Sequence, residues 1–150
     1  VLGRHPHKLA LAAAVSGRGG LDGRVQTAVV SDEVYAHWRA HPADVVVEAT
    51  GSPHGFAAAL DLVRPQGTLV LKSTFADQLK QFDISRLVVD EITLIGSRCG
   101  PFDKALAALA AGQMDVRPLI EGRYPLSDGL AAFAHAGQRG VIKILIDMRE

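Results

Sequence analysis

The sequence predicts an α/β fold in which a parallel sheet is covered by helices on both faces. Two observations carry this prediction. Strand-like and helix-like segments alternate through the first two thirds of the 150 residues. The strand-like segments are nearly continuous runs of Val, Leu and Ile, which is typical of parallel strands that are buried on both faces.

The alternating elements follow from local composition and capping residues. Leu- and Ala-rich segments, or segments that begin at a capping residue, predict helices, and apolar β-branched runs predict strands. The predicted strands are 1–5, 25–30, 44–50, 68–74 and 91–97. The predicted helices between them are 7–15, 31–40, and a helix from Pro53 that ends before Pro65. Ser31 or Asp32 can cap the second helix, and Ser52 can cap the third.

The remaining segments are predicted with less regularity. Residues 75–90 form a looser stretch in which four apolar side chains are expected to pack down: Phe82, Ile84, Leu87 and Val88. A helix over 101–112 carries Phe102, Leu106 and Leu109 on one face, which predicts core packing. Ser127 can cap a further helix that contains Leu130 and Phe133, and 141–147 predicts a half-buried strand.

Composition excludes several classes of partner. The chain is 48% hydrophobic and has 16 acidic and 16 basic residues, so its zero net charge gives no electrostatic reason to bind nucleic acid or a membrane. A single cysteine, Cys99, rules out an internal disulfide framework and makes the cytoplasm the expected compartment. Because Val1 already lies in a strand-like segment, we expect the chain to be a fragment of a longer protein.

Small or polar residues stand at the ends of four predicted strands. Ligands of open parallel sheets bind outside the carboxyl ends of the strands, so these residues predict a shared binding crevice. The four sets are Gly3 and Arg4, 50–52, 72–74, and 96–99.

Several segments together resemble one enzyme family. VLGRHPHKLALA, DVVVEATGSP, LVRPQGTLVLKST, LVVDEITLIGSRCGPF and GVIKILI are similar to the downstream part of a zinc-type medium-chain alcohol dehydrogenase, of the medium-chain dehydrogenase/reductase superfamily. The resemblance implies a Rossmann-like domain over 1–97 that lacks its first strand. It also implies that 98–150 is an α+β C-terminal segment of the catalytic domain.

The same resemblance implies what the chain does not contain. The first strand, its G-x-G-x-x-G turn and the zinc ligands of the parent would lie upstream, so we expect no catalytic residue and no metal site here. The glycine-rich segment 16–23 does not replace that turn, because it follows a helix and has Asp22 at the third glycine position. The pairs His37 and His41, and His5 and His7, lack a third ligand nearby and are interpreted as surface residues.

The resemblance assigns cofactor contacts residue by residue. Ala49, Thr50 and Gly51 match the loop beside the cofactor riboses, and Lys72, Ser73 and Thr74 match the loop that flanks the nicotinamide ribose. Ser97 and Cys99 match positions that offer backbone groups to the carboxamide. Lys143 matches a basic position that reaches the pyrophosphate, or is an ordinary strand lysine. Glu48 is expected to orient the adjoining loop.

The expected cofactor is NADP or NAD, with NADP favoured. NAD-specific sheets usually carry an acid at the end of the second strand, whereas a 2′-phosphate needs a cation. Here that position is Gly3, which is followed by Arg4, with Lys8 one helical turn further on. Both cations can equally be ordinary surface charges.

The predicted activity is hydride transfer between nicotinamide and an alcohol or aldehyde, with zinc in the missing half of the parent. The chain alone is expected to be inactive, to bind nucleotide weakly and to be marginally stable. A homodimer through the apolar edge strand 91–97 is also expected. The alternative is a non-catalytic nucleotide-binding or interaction module that is complete as it stands. A methyltransferase is disfavoured, because its second strand would end in an acid.

Overall fold

The computed structural model describes residues 1–18, 25–74 and 84–149, with side chains described from residue 1 to 15 and in the two later ranges. The strands are β1 (Leu2–Gly3), β2 (Ala28–Val29), β3 (Ala43–Glu48), β4 (Val63–Leu71), β5 (Thr93–Gly96), β6 (Ile120–Pro125) and β7 (Lys143–Asp147). The helices are α1 (Pro6–Arg18), α2 (Asp32–Ala40), α3 (Pro53–Leu62), α4 (Ser85–Val89), α5 (Phe102–Ala110) and α6 (Gly129–Ala136). Short 3-10 turns occupy Arg117–Leu119 and Leu126–Asp128.

Every strand pairing in the described part of the chain is parallel. The strands form three separate ladders: β1–β2, β3–β4–β5 and β6–β7. Each pair of neighbouring parallel strands has a helix between its two members in the chain, as parallel pairing requires. These helices are α1 for β1–β2, α3 for β3–β4, α4 for β4–β5 and α6 for β6–β7. The predicted α/β class with parallel sheets is confirmed.

The chain forms two compact units, of which one comprises 31–102 and the other comprises 1–30 with 103–150. These units are defined by contacts within the chain. The domain boundary predicted at residue 97 is a separate question and stays a prediction.

The unit 31–102 has its core between α3 and one face of the β3–β4–β5 ladder. The cluster is formed by Phe56, Ala59, Leu60, Val63, Leu69 and Ile92, with Val46, Leu71 and Leu87 packed against it. Leu69 is fully buried, and its register partner Val46 points to the same face. Val45 and Val47 point to the opposite face and are 56% and 57% exposed. The expectation that both faces of this strand are buried is therefore wrong within this unit, because α3 covers one face only.

A polar network fastens the helices of the same unit. Tyr35 of α2 donates a hydrogen bond of 2.8 Å to Asp61 of α3, and Arg86 of α4 forms an ion pair with the other oxygen of that carboxylate. Arg86 also lies 3.3 Å from Asp90. Burial and the Asp61 carboxylate raise the pKa of Tyr35 to about 12.

The other unit contains two helix-covered ladders. In the first, Leu9 of α1 is buried against Gly3 of β1. In the second ladder, β6–β7, Ala132 of α6 is buried, and the hydroxyl oxygen of Tyr124 in β6 lies 2.9 Å from the Nδ1 atom of His135 in α6. These contacts hold α1 on β1–β2 and α6 on β6–β7.

Several predicted elements are confirmed, including the two caps. Ser31 accepts a hydrogen bond from the Val34 amide at 3.3 Å, and Ser52 accepts one from the Gly55 amide at 3.1 Å. The helix α1 runs to Arg18, so residues 16–18 are helical rather than part of a loop. The rest of the glycine-rich segment lies outside the described residues.

Other predictions of packing are wrong. Phe102, Leu106 and Leu109, which were predicted to pack in the core, are exposed. Leu130 and Phe133 lie in a helix as predicted, and both are exposed as well. Helical spacing identifies an apolar face, but it does not supply the surface that covers that face. Ser127 lies in a 3-10 turn, and Asp128 takes the N-cap position of α6.

The loosely predicted stretch 75–90 contains a short helix, α4, that the sequence pattern did not reveal. Leu87 packs on the core as expected, whereas Ile84 and Val88 are exposed. Phe82 lies outside the described residues.

Candidate functional site

Three strand ends of the unit 31–102 meet along one edge of its sheet. Because β3, β4 and β5 are parallel, their carboxyl ends lie at the same edge. The ladder continues beyond the strands: the Lys72 amide donates to the Glu48 carbonyl at 2.8 Å, and the Ser97 amide donates to the Leu71 carbonyl at 2.9 Å. We call residues 48–52, 71–74 and 96–99 the strand-end rim.

The first segment of the rim is a turn organised by Glu48. This carboxylate is only 2% exposed, and its Oε1 atom accepts hydrogen bonds from the Thr50 amide and the Thr50 hydroxyl, both at 2.6 Å. Gly51 follows with a φ of +69°, in the left-handed region that favours glycine. The predicted orienting role of Glu48 thus has a geometric basis.

The turn leads directly into α3. Thr50 Oγ1 lies 3.1 Å from Ser52 Oγ, which accepts from the Gly55 amide and caps the helix. A Cβ atom on Gly55 would lie 1.7 Å from Thr50 Oγ1, so only glycine allows this approach. Glycine in the first turn of a helix that starts Ser-Pro was the sequence signal for this contact, and sequence reasoning missed it.

The second segment of the rim lies next to the first. A Cβ atom placed on Gly51 would lie 3.5 Å from the Thr74 carbonyl oxygen and 3.9 Å from the Ser73 Cβ atom. The structure therefore brings together two loops that were predicted separately: 49–51 and 73–74.

The third segment is tied to the second by Lys72. Its ammonium group donates a hydrogen bond to the Arg98 carbonyl. Ser97 is half-buried, and Cys99 is exposed. All the predicted cofactor positions of this unit therefore lie on a single rim.

The remaining predicted cofactor residues belong to the unit that contains residues 1–30. Gly3 ends β1, and a Cβ atom there would lie 3.0 Å from a methyl carbon of Leu9. Arg4 and Lys143 are exposed. Lys8 donates a hydrogen bond of 3.3 Å to the Val141 carbonyl, so its ammonium group already has a protein partner.

The histidine pairs show no metal-binding arrangement. His37 and His41 are exposed, with ring centroids 4.8 Å apart, and His41 Nδ1 lies 2.9 Å from the His37 carbonyl oxygen. His7 Nε2 lies 3.2 Å from the Gly140 carbonyl oxygen. Within the ranges that the structure describes, no three His, Cys, Asp or Glu residues are grouped as a metal site would require. No helix in these ranges is long and apolar enough to cross a membrane.

Known proteins with similar sequences are dehydrogenases. The chain is 32% identical over 107 residues to the D-arabitol-phosphate dehydrogenase of Enterococcus avium. This match covers 69% of this chain and 30% of that protein. It is 30% identical over 107 residues to the L-idonate 5-dehydrogenase (NAD(P)(+)) of Escherichia coli K12, covering 69% of this chain and 31% of that protein. The chain thus spans about a third of the length of these relatives.

Solved structures of this kind share the fold. The L-idonate 5-dehydrogenase from Escherichia coli matches 97% of this chain and 42% of its own, with a TM-score of 0.80 and 26% identity. A zinc-binding dehydrogenase from Sinorhizobium meliloti 1021, solved bound to NADP, matches 97% of this chain and 43% of its own, with a TM-score of 0.77 and 19% identity. A family model described as zinc-binding dehydrogenase matches residues 1–111. The chain belongs to the zinc-binding dehydrogenase family, as its resemblance to zinc-type medium-chain dehydrogenases predicted.

Proposed function

We propose that these residues form the cofactor-binding part of an NAD(P)-dependent dehydrogenase that oxidises an alcohol or polyol and reduces the matching carbonyl compound. The observation that carries the proposal is the strand-end rim, where the loop at Gly51 lies against the loop at Thr74. Ligands of parallel α/β sheets bind outside this edge. The names of the relatives, which include arabitol-phosphate and idonate dehydrogenases, support the substrate class.

The residues of the rim fit a nicotinamide dinucleotide. Gly51 leaves its backbone open, and Thr50, Ser73 and Thr74 carry hydroxyl groups suited to ribose oxygens. Backbone groups at Ser97 and Cys99 would meet the carboxamide. When bound, the nicotinamide supplies the hydride acceptor and donor; this chain binds and orients it.

Zinc and the substrate pocket are assigned to residues outside this chain. The described ranges offer no group of three His, Cys, Asp or Glu residues that could hold zinc. We propose that this chain alone lacks turnover for that reason, and that it binds cofactor weakly because its sequence contains no G-x-G-x-x-G turn to hold the pyrophosphate. Turnover of a common alcohol by the purified chain would contradict this assignment.

Cofactor preference is proposed to depend on Arg4. The close contact of Leu9 with Gly3 disfavours the acidic side chain that an NAD-specific site places at this position. Lys8 is engaged by the Val141 carbonyl, so Arg4 is the better candidate for a 2′-phosphate. We therefore propose NADP as the preferred cofactor.

The test is isothermal titration calorimetry, in which the chain is titrated with NADP and, separately, with NAD. We expect saturable binding of both, tighter for NADP, and Arg4→Ala should remove the difference by weakening NADP alone. Arg117→Ala is the matched control, since this exposed arginine pairs with Asp115. Equal affinities in the wild type would refute the role of Arg4, and the absence of saturable binding would refute the proposed function.

We further propose a cytoplasmic homodimer that pairs through β5. The four residues of β5 are exposed, and this strand ends the described β3–β4–β5 ladder. An unpaired apolar strand edge is a template for pairing with a second chain. Light scattering at micromolar concentration should give a dimer, and a monomer would contradict this proposal.

A further inference from the structure

Burying the charged side chain of Glu48 costs folding free energy that burying a neutral side chain would not cost. Its side chain is buried, and its Oε2 atom has no hydrogen-bond partner among the described residues. Burying a carboxylate oxygen without a donor is unfavourable, and such unsatisfied groups are uncommon in folded proteins. Glutamine has the same shape without the charge, so folding alone does not explain a carboxylate here.

The other oxygen of Glu48 fixes the direction of a chain of hydrogen bonds. An ionised carboxylate only accepts, so the Thr50 amide and hydroxyl must both donate to Oε1. With the Thr50 proton committed, the hydroxyl of Ser52 can donate to Thr50 Oγ1, 3.1 Å away. Ser52 Oγ in turn accepts from the Gly55 amide. One carboxylate thereby orders the backbone and hydroxyls from residue 49 to 55.

The ordered turn is the one that faces the second rim segment. Gly51 adopts its positive φ immediately after Thr50 and lies against the Thr74 carbonyl. We propose that Glu48 is a positioning residue that sets the spacing between the 49–51 and 73–74 loops for the ribose of the dinucleotide. This inference rests on the proposed function. In this proposal Glu48 acts through its hydrogen bonds to Thr50, without contacting the cofactor itself.

If Glu48 is a positioning residue, its substitution should weaken NADPH binding without lowering the stability of the folded chain. In Glu48→Gln, the amide oxygen can still accept from Thr50, but the two bonds lose their charge assistance. Relief of the buried charge offsets that loss, so the urea midpoint should stay level or rise. The turn should loosen, with faster amide exchange over 49–52. NADPH affinity should fall about tenfold, the equivalent of weakening one charge-assisted hydrogen bond.

The experiment compares wild type, Glu48→Gln and Glu91→Gln in three measurements: urea unfolding, amide exchange by mass spectrometry, and NADPH binding by fluorescence. Glu91 is exposed and accepts from Gln66 Nε2 at 2.7 Å, so its variant should change neither exchange over 49–52 nor affinity. If Glu48→Gln lowers the urea midpoint and the NADPH affinity together, the role of Glu48 is purely structural and the inference is overturned. Unchanged exchange and affinity would overturn it as well.

The outcomes also separate this inference from the proposed function. If wild type binds no NADPH but exchange over 49–52 still rises in Glu48→Gln, the proposed function fails and the control of the turn by Glu48 is supported. If wild type binds NADPH and Glu48→Gln binds it equally well, the proposed function stands and the positioning role fails.

Discussion

Gly55→Ala is the perturbation whose effect the structure defines most sharply. Gly55 lies in the first turn of α3, where alanine would ordinarily stabilise the helix by about 0.5–1 kcal/mol. Here, however, the new Cβ atom would lie 1.7 Å from Thr50 Oγ1 and 2.7 Å from Thr50 Cβ. Rotating the Thr50 side chain relieves only the first of these contacts, so the backbone must also move.

The cost has two parts. Rotation of Thr50 breaks its hydroxyl bond to the Glu48 carboxylate, which is worth about 1.5–3 kcal/mol. The backbone shift forced by overpacking adds about 1–3 kcal/mol. After the helix gain is subtracted, we expect a loss of about 1.5–5.5 kcal/mol in the free energy of unfolding.

Urea unfolding followed by the fluorescence of Trp38, the single tryptophan, measures this loss in the unit 31–102. With a slope of about 1–3 kcal/mol per molar urea, a loss of 3 kcal/mol lowers the midpoint by about 1–3 M. Gly100→Ala is the control in the same unit, because a Cβ atom at Gly100 meets no atom within 4 Å. A Gly55→Ala midpoint at or above that of wild type would refute the contact between α3 and the Thr50 turn.

Two further predictions concern the same unit. Leu69→Ala should cost about 3–5 kcal/mol in unfolding free energy, because Leu69 is fully buried between the sheet and α3; a loss below 1 kcal/mol in urea melts would contradict that core. The pKa of Tyr35 is raised to about 12 by burial and by Asp61, so the folded state keeps its phenol proton where the unfolded state loses it. Stability should therefore fall between pH 10 and pH 12, and Tyr35→Phe should reduce that fall; identical pH profiles for the two proteins would refute the shift.

The stretch from Asp44 to Pro53 shows how much the sequence can predict. Its valine run and the Ser-Pro pair that follows are local signals, and β3, the Ser52 cap and α3 were predicted from them. The hydrogen bonds that Glu48 accepts from the following loop were also predicted, because a carboxylate at the end of an apolar strand needs donors. These features depend on neighbours in the chain.

Two kinds of feature were not predictable: whether another surface covers an apolar face, and which residues far apart in the chain contact each other. Phe102 and Leu106 form an apolar face whose spacing suggests a core, yet both are exposed, since periodicity carries no information about the covering surface. The strand β6 was missed because IEGRYP contains glycine, proline and charged residues and lacks a β-branched run. The hydrogen bond from Lys8 to the Val141 carbonyl was not predictable either, because the two residues lie 133 positions apart in the chain.

The central claim is that the three strand ends of the unit 31–102 form one side of a nicotinamide site. Backbone amide chemical shifts of the isotope-labelled chain during an NADPH titration test it directly, even at weak affinity. The account predicts that the largest saturable shifts fall in 49–51, 73–74 and 97–99. Saturable shifts confined to the opposite end of the sheet, near Gln66 and Glu91, would contradict it.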